Sequence, residues 1–125
     1  MPWSEGANTD LSQLVAAAAD LCRKPLRHGV VLTSPADEDE CSLRLEARSP
    51  AGERLAEEDL ELEIYRSGSN LNLTLAWCVD EQRPMLWQGG HPLWMDAEGR
   101  RCERPQDGLA LEALARRLRT LLVQG

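Results

Sequence analysis

The sequence has very few residues whose codons are rich in A and T. Its 125 residues include no phenylalanine and one tyrosine, and Lys24 is the only lysine beside thirteen arginines. Ile64 is the only isoleucine. We attribute this bias to a GC-rich, bacterial genome and assign no special chemistry to the abundance of arginine.

Long apolar runs are also missing. No stretch approaches the roughly 20 apolar residues that a membrane-spanning helix needs. The start of the chain carries neither the basic patch nor the apolar segment of a signal peptide. A chain of this length is typical of one domain. We therefore expect a single soluble, cytoplasmic domain over residues 1–125, with residues 1–8 as a flexible N-terminal arm and with no membrane partner.

Motifs for metals, cofactors and catalysis are absent. The four cysteines, at positions 22, 41, 78 and 102, form no Cys-x-x-Cys pair, whereas zinc sites usually have closely spaced ligands. The glycine fingerprints of phosphate and dinucleotide sites do not occur. His28 and His91, the two histidines, lie in no nucleophile signature. We expect no metal, no cofactor, no enzyme activity and structural thiols, with His28 a partly exposed connector.

The formal charge of −7 argues against nucleic-acid binding, which requires a basic surface. The charge is uneven, because residues 37–63 hold eleven acids and three arginines, a net of −8. Residues 100–125 hold six arginines and three acids, a net of +3. These segments either face each other or solvent, or the acidic one recruits a basic partner. The clusters at 37–40 and 57–59 are predicted to be solvated loops.

Residues 60–79 carry the clearest structural signal. Apolar residues occupy even positions up to Ile64 and odd positions from Leu71 onward, which is the alternation of two strands with one buried face. For the apolar residues to share that face, the connecting loop must hold an even number of residues, either 67–68 or 66–69. Gly68 can supply the positive φ of such a turn. The predicted register pairs Ile64 with Leu71, Leu62 with Leu73 and Leu60 with Leu75.

The remaining pattern gives the order helix, strands, helix. An apolar stripe predicts a helix from Asp10 to about Lys24, and residues 41–48 alternate as a strand. A second stripe predicts a helix after Asp107, with Glu112, Arg116 and Arg119 facing away from the core. We predict an α+β fold, an antiparallel β-meander of about four to six strands with the N-terminal and C-terminal helices packed on one face. The other face is left to water.

The loop from Trp87 to Trp94 contains residues that can bind a ligand or take part in catalysis. Glycines can bring backbone N–H groups close to a ligand, a histidine can act as acid or base near neutral pH, and tryptophans can form stacking walls. The alternative is a plain hairpin loop whose tryptophans anchor the core. The candidate ligand-binding residues are Trp87, Gln88, Gly89, Gly90, His91 and Trp94.

The size, acidity and helix–sheet–helix layout resemble those of small acidic secretion chaperones, at the level of composition and without a shared motif. We therefore expect a protein–protein interaction or assembly module, acting on an unknown protein partner or as a homodimer. The alternative is a small-ligand binder or an enzyme that uses the loop from Trp87 to Trp94. Since the apolar face of the sheet is needed for the core, the function is expected on the wet face, on a sheet edge or in this loop.

Overall fold

The computed structural model describes the backbone of residues 5–34 and 40–124 and the side chains of residues 11–34 and 40–123. One helix stands at each end of this part of the chain, with seven strands and a short 3-10 helix, Ala56–Glu58, between them. The elements are α1 (Glu5–Cys22), β1 (Arg27–Leu32), β2 (Glu40–Arg48), β3 (Leu60–Ser67), β4 (Asn70–Trp77), β5 (Met85–Gln88), β6 (Pro92–Met95), β7 (Arg101–Cys102) and α2 (Gly108–Gln124).

All seven strands form one antiparallel sheet in sequence order, β1-β2-β3-β4-β5-β6-β7. This confirms the predicted α+β meander with its two terminal helices. The predicted count of about four to six strands was too low, because the short pieces β5, β6 and β7 each pair with their neighbours. Turns at Gly52 and Gly99, both with positive φ, follow β2 and β6.

Helix α1 begins five residues before the predicted start at Asp10. It therefore includes residues 5–8 of the predicted N-terminal arm. Residues 1–4, with Trp3, lie outside the described residues, as do residues 37–39 of the acidic cluster predicted at 37–40. The helix ends at Cys22, shortly before the cis peptide bond between Lys24 and Pro25.

The β3–β4 hairpin has the predicted faces but not the predicted register. Its loop is the two residues Gly68 and Ser69, since Ser67 pairs with Asn70. The even loop length is therefore confirmed, and Gly68 has the positive φ, 65°. The predicted register was wrong by two residues, because the structure pairs Ile64 with Leu73, Leu62 with Leu75 and Leu60 with Trp77. A shift of two residues preserves the face of every side chain.

Both helices cover the same face of the sheet and enclose one core. We call this covered face the inner face and the opposite one the open face. The strands contribute alternate residues to the core, for example Leu43, Leu62 and Leu75, all fully buried. Helix α1 contributes Leu11, Val15, Ala18 and Ala19, and helix α2 contributes Leu111, Leu114, Ala115, Leu118 and Leu122.

An ion pair between an exposed arginine and a buried carboxylate connects the start of β3 to the end of β2. Asp59, with 5% of its surface exposed, accepts two hydrogen bonds from the Arg54 guanidinium, at 2.9 and 2.8 Å. Its Oδ1 also accepts from the backbone N–H of Ala47 at 2.8 Å. The Arg54 hydrogen bonds hold the pKa of Asp59 below its ordinary value, because they stabilise the charged form. The prediction of a solvated loop was therefore wrong for Asp59.

Glu112 also contradicts the predicted outward face of α2. It is buried and accepts from the indole N–H of Trp94 at 2.6 Å and from Arg104 at 3.3 Å. A buried indole N–H needs an acceptor, and Glu112 provides it across the helix–sheet interface. Arg119, predicted to face away, is half-buried and donates from Nε to the carbonyl of Leu71 at 3.2 Å. Arg116 is exposed, as predicted.

Candidate functional site

The open face of the sheet is polar on one side and largely apolar on the other. Strands β2 and β3 present Arg44, Glu61 and Glu63, all exposed. The prediction of a wet face is therefore correct for this half. Strands β4, β5 and β6 instead present side chains that are half-buried although no helix covers them, namely Thr74, Ala76, Met85, Trp87, Leu93 and Met95.

Trp87 and Tyr65 close over Asn72. Tyr65 is opposite Asn72 in the β3–β4 pair, and Trp87 lies on the next strand, β5. The Trp87 indole N–H donates to the Tyr65 hydroxyl at 2.7 Å, so the two aromatic side chains meet across β4. Asn72 is left 8% exposed, although its position in the alternation is that of a wet residue. The polar Asn72 is thus buried by its neighbours on the open face.

The β5–β6 hairpin divides the candidate residues between the two faces. Gln88 and Trp94 point to the inner face and are buried. Trp94 belongs to the core, as the plain-hairpin alternative expects. Gln88 donates from Nε2 to the Gly89 carbonyl at 3.0 Å, while its Oε1 has no hydrogen-bond partner among the described residues. These two side chains do not join Trp87, which is on the open face.

The turn itself contributes to a groove. Trp87, Gly89 and Gly90 line it, whereas His91 is exposed and does not. The groove holds about 460 Å³ at the end of the sheet where the β3–β4 and β5–β6 hairpins turn. Its lining is Tyr65, Ser67, Asn70, Leu71, Asn72, Trp87, Gly89, Gly90 and Arg119.

A second depression, which we call the acidic recess, lies toward the opposite end of the open face. It holds about 320 Å³, and Ala76 and Met85 contribute to its lining. Its acidic lining residues are Glu61, Asp80, Glu81 and Asp96. Burial raises the pKa of the Cys78 thiol, which also lines the recess, and the negative charge of Glu61 raises it further. The recess is therefore a site of negative potential.

A third group of polar residues meets where α1 leads into β1, with Arg23 buried and Glu58 and Asp20 partly exposed. The Arg23 guanidinium donates to Nε2 of His28 at 2.9 Å and to the Glu58 carboxylate at 3.1 Å. Because arginine has donors only, Nε2 must accept and Nδ1 carries the proton that is donated to Asp20 at 3.0 Å. Burial lowers the pKa of His28, whose side chain is fully buried. His28 as a whole is half-buried, in line with the predicted partly exposed position, but it lies within β1 and not in a connector, and its side chain is covered. These polar groups satisfy one another.

Several residues of the groove and the recess could not be found by motif. Tyr65, Asn72 and Arg119 stand on three different elements and meet only in the folded chain. The four acids of the recess come from β3 and from two separate turns. The unequal charge distribution along the sequence was the one available signal, and it pointed to residues 37–63 rather than to Asp80, Glu81 and Asp96.

Comparison with known proteins places this architecture in a family. A model described as "Domain of unknown function (DUF8659)" matches residues 12–121. The chain belongs to the DUF8659 family. No curated protein and no solved structure gives a significant match. The match spans all seven strands, so the groove and the acidic recess both lie inside the DUF8659 domain.

The part of this DUF8659 chain that the structure describes was searched for membrane-spanning helices and for metal-ligand clusters. No helix among its residues is long and apolar enough to cross a membrane. No group of three or more His, Cys, Asp or Glu side chains in that part of the chain is arranged to hold a metal ion.

The aromatic cover of this DUF8659 domain gives a direct prediction. Gly89→Ala will lower the free energy of unfolding by about 1 to 3 kcal/mol, the range of an overpacked site. A Cβ at position 89 would lie 2.7 Å from Cζ2 of Trp87 and 3.0 Å from Oδ1 of Asn72. We therefore expect the indole to move and its hydrogen bond to Tyr65 to be disturbed. Urea denaturation measures the loss of stability, and the shift of the Trp87 indole N–H resonance reports the displacement.

Gly90→Ala is the matched control. No atom lies within 4 Å of a Cβ built there, and the φ of Gly90 is not positive. Its stability is expected to stay within about 0.5 kcal/mol of the parent or to rise slightly, because alanine restricts the unfolded chain. Equal losses in the two variants would contradict the packing of Trp87 over Gly89.

Proposed function

We propose that this chain is a protein-interaction module whose open sheet face binds a basic, partly apolar segment of another protein. The observation that carries the proposal is the acidic recess together with the apolar side chains beside it. Both lie on the face that the helices leave uncovered.

The recess is built to attract positive charge. Four carboxylates line it, and Arg83 is the only cation among its described lining residues. Arg83 is already engaged, since it pairs with Asp107 and its Cζ lies 3.5 Å from the ring centroid of Trp77. The arrangement therefore leaves an excess of negative charge that lysine or arginine side chains of a partner can neutralise.

Local hydrogen bonds hold two of the carboxylates in place. Asp80 Oδ1 accepts from the backbone N–H of Gln82 at 3.0 Å, and Asp96 Oδ1 accepts from that of Arg100 at 2.9 Å. Their orientation is thus set by the two turns before a partner arrives. A preorganised surface loses less conformational entropy on binding than a flexible one.

Apolar contact area lies next to this charge. Ala76 and Met85 belong both to the recess and to the apolar half of the open face, which continues to Met95 and Leu93. An interface of this kind combines an apolar centre with a charged rim. The partner segment is expected to carry apolar side chains for the strip and basic side chains for the recess.

Photo-crosslinking tests the proposal in cells that produce the protein. A photoreactive amino acid at Met95 is expected to capture a partner whose crosslinked segment is basic. The same group at Leu109, which is 61% exposed on α2, is the matched control and should not capture that partner. Capture at Leu109 alone, or an acidic crosslinked segment at Met95, would overturn the proposal.

Charge reversal then tests the recess with the purified partner. Glu81→Lys is expected to weaken binding about tenfold or more, a change of at least about 1.4 kcal/mol, and the affinity should fall with added salt. Glu57→Lys reverses an exposed charge on the short 3-10 helix outside the recess and should leave Kd within about twofold. If sedimentation shows a dimer that Met95→Glu dissociates, a second copy covers the face and the proposed partner is wrong.

A further inference from the structure

We infer that the groove between Tyr65, Trp87 and Arg119 is a binding site for a small organic carboxylate with a planar body. This site shares no residue with the acidic recess. The inference is therefore independent of the proposed protein partner.

Charge is the first observation. The chain has 21 acidic residues, yet none is among the described residues that line the groove. Arg119 lines it, with Nε already donating to the carbonyl of Leu71 at 3.2 Å. That bond directs the guanidinium to this end of the sheet while its terminal nitrogens keep further donors. In an otherwise acidic protein, the groove is a local site for an anion.

A polar side chain at the groove is the second observation. Asn72 is 8% exposed and lines the groove. It is the cross-strand neighbour of Tyr65. An amide can donate to one oxygen of a ligand carboxylate, so Asn72 places a donor beside the Tyr65 hydroxyl.

The third observation concerns the aromatic side chains of Tyr65 and Trp87. Tyr65 accepts from the Trp87 indole N–H, which leaves its own hydroxyl hydrogen available to donate. The two rings line the groove together, and a planar ligand body can pack against them. Gly89 and Gly90 complete the lining with backbone and no side chain, which allows close approach. The donors therefore come from Arg119, Asn72 and Tyr65, and the apolar wall comes from Trp87.

The test is an NMR titration of the full chain with benzoate, benzamide and inorganic phosphate at constant ionic strength. Benzoate is expected to shift the amides of Gly89 and Gly90 and the Trp87 indole N–H saturably, with a Kd in roughly the millimolar range or tighter. Benzamide has the same planar body without the charge and should bind about tenfold more weakly or worse, because charge-assisted hydrogen bonds are the stronger ones. Phosphate has the charge without the planar body and should also bind more weakly than benzoate.

Two variants locate the charge recognition. Arg119→Met keeps the length of the side chain and should weaken benzoate binding about tenfold or more. Arg116→Met removes an exposed arginine one turn earlier on α2, outside the groove, and should leave Kd within about twofold. Equal weakening by both variants would show that only the overall charge matters and would overturn the site.

The titration of the parent protein keeps the inference falsifiable if Arg119→Met does not fold. Benzoate that shifts no groove resonance up to about 10 mM, a range beyond specific recognition by a built site, overturns it. Equal binding of benzamide overturns the anionic class, and equal binding of phosphate overturns the role of the aromatic wall.

Discussion

Arg54→Ala is expected to lower the free energy of unfolding well beyond experimental error, because it leaves the buried carboxylate of Asp59 without its counter-charge. Asp59 would keep only the hydrogen bond from the Ala47 N–H. The Arg54 side chain is itself 35% exposed, so solvent screens the pair and the loss is smaller than for a fully buried ion pair. Urea denaturation near neutral pH measures the change.

Arg48→Ala is the matched control for this effect. Arg48 is the bridge partner of Arg54 at the end of β2, is exposed, and donates from its guanidinium to the carbonyl of Gly52. Its loss is expected to change stability by no more than about 0.5 kcal/mol. If the two variants lose the same stability, the contribution comes from general surface charge and not from the pair with Asp59.

The same pair predicts how stability responds to acid. The pKa of Asp59 in the folded protein is held below the ordinary carboxyl value of about 3.9. Between those two pKa values the unfolded chain binds a proton and the folded chain does not, so stability rises with pH there. The contribution of Asp59 is complete above the ordinary value and is lost as the pH falls through the folded pKa. Arg54→Ala should therefore flatten the acid limb of the stability curve relative to Arg48→Ala.

Leu62→Ala is expected to cost about 3 to 4 kcal/mol, within the range for a buried leucine that leaves a cavity. Leu62 is fully buried on the inner face, between Leu43 and Leu75 on the neighbouring strands. Glu63→Ala changes the next residue of β3, which points to the open face and is exposed. It should alter the free energy of unfolding by no more than about 0.5 kcal/mol. Comparable losses in the two variants, measured by urea denaturation, would contradict the assignment of the inner and open faces.

The faces of β3 and β4 could be predicted from the sequence, but their register could not. Alternation decides which face of the sheet each side chain is on, but not which residue it pairs with. A shift of two positions therefore leaves every face unchanged. The turn chemistry decides between the remaining registers. Gly68 is the first of two loop residues and has positive φ, whereas Ser69 does not. That pattern fits a type II′ turn, which takes glycine first. The sequence prediction placed Gly68 second in a two-residue loop, 67–68, or third in a four-residue loop, 66–69. Both choices give the same wrong register.

The sites depended on contacts that periodicity cannot describe. Glu112 has the spacing of an outward residue, yet the buried indole of Trp94 brings its carboxylate into the interior. Asn72 has the parity of a wet residue, yet Trp87 and Tyr65 cover it. Three of the residues predicted in the loop, Trp87, Gly89 and Gly90, do line one wall of the groove. Arg119 on α2 is 29 residues or more from that wall in sequence, and no local pattern connects them.

The meander determines the order in which the apolar inner face of the sheet is covered during synthesis. Every strand pairs with the strand made just before it, so each hairpin can close as soon as its second strand leaves the ribosome. The inner face over β4 and β5 has no cover, however, until α2 emerges after all seven strands. The nascent sheet therefore leaves leucines such as Leu73 and Leu75 without their helical cover until the end of synthesis. This interval is when the chain is most exposed to aggregation.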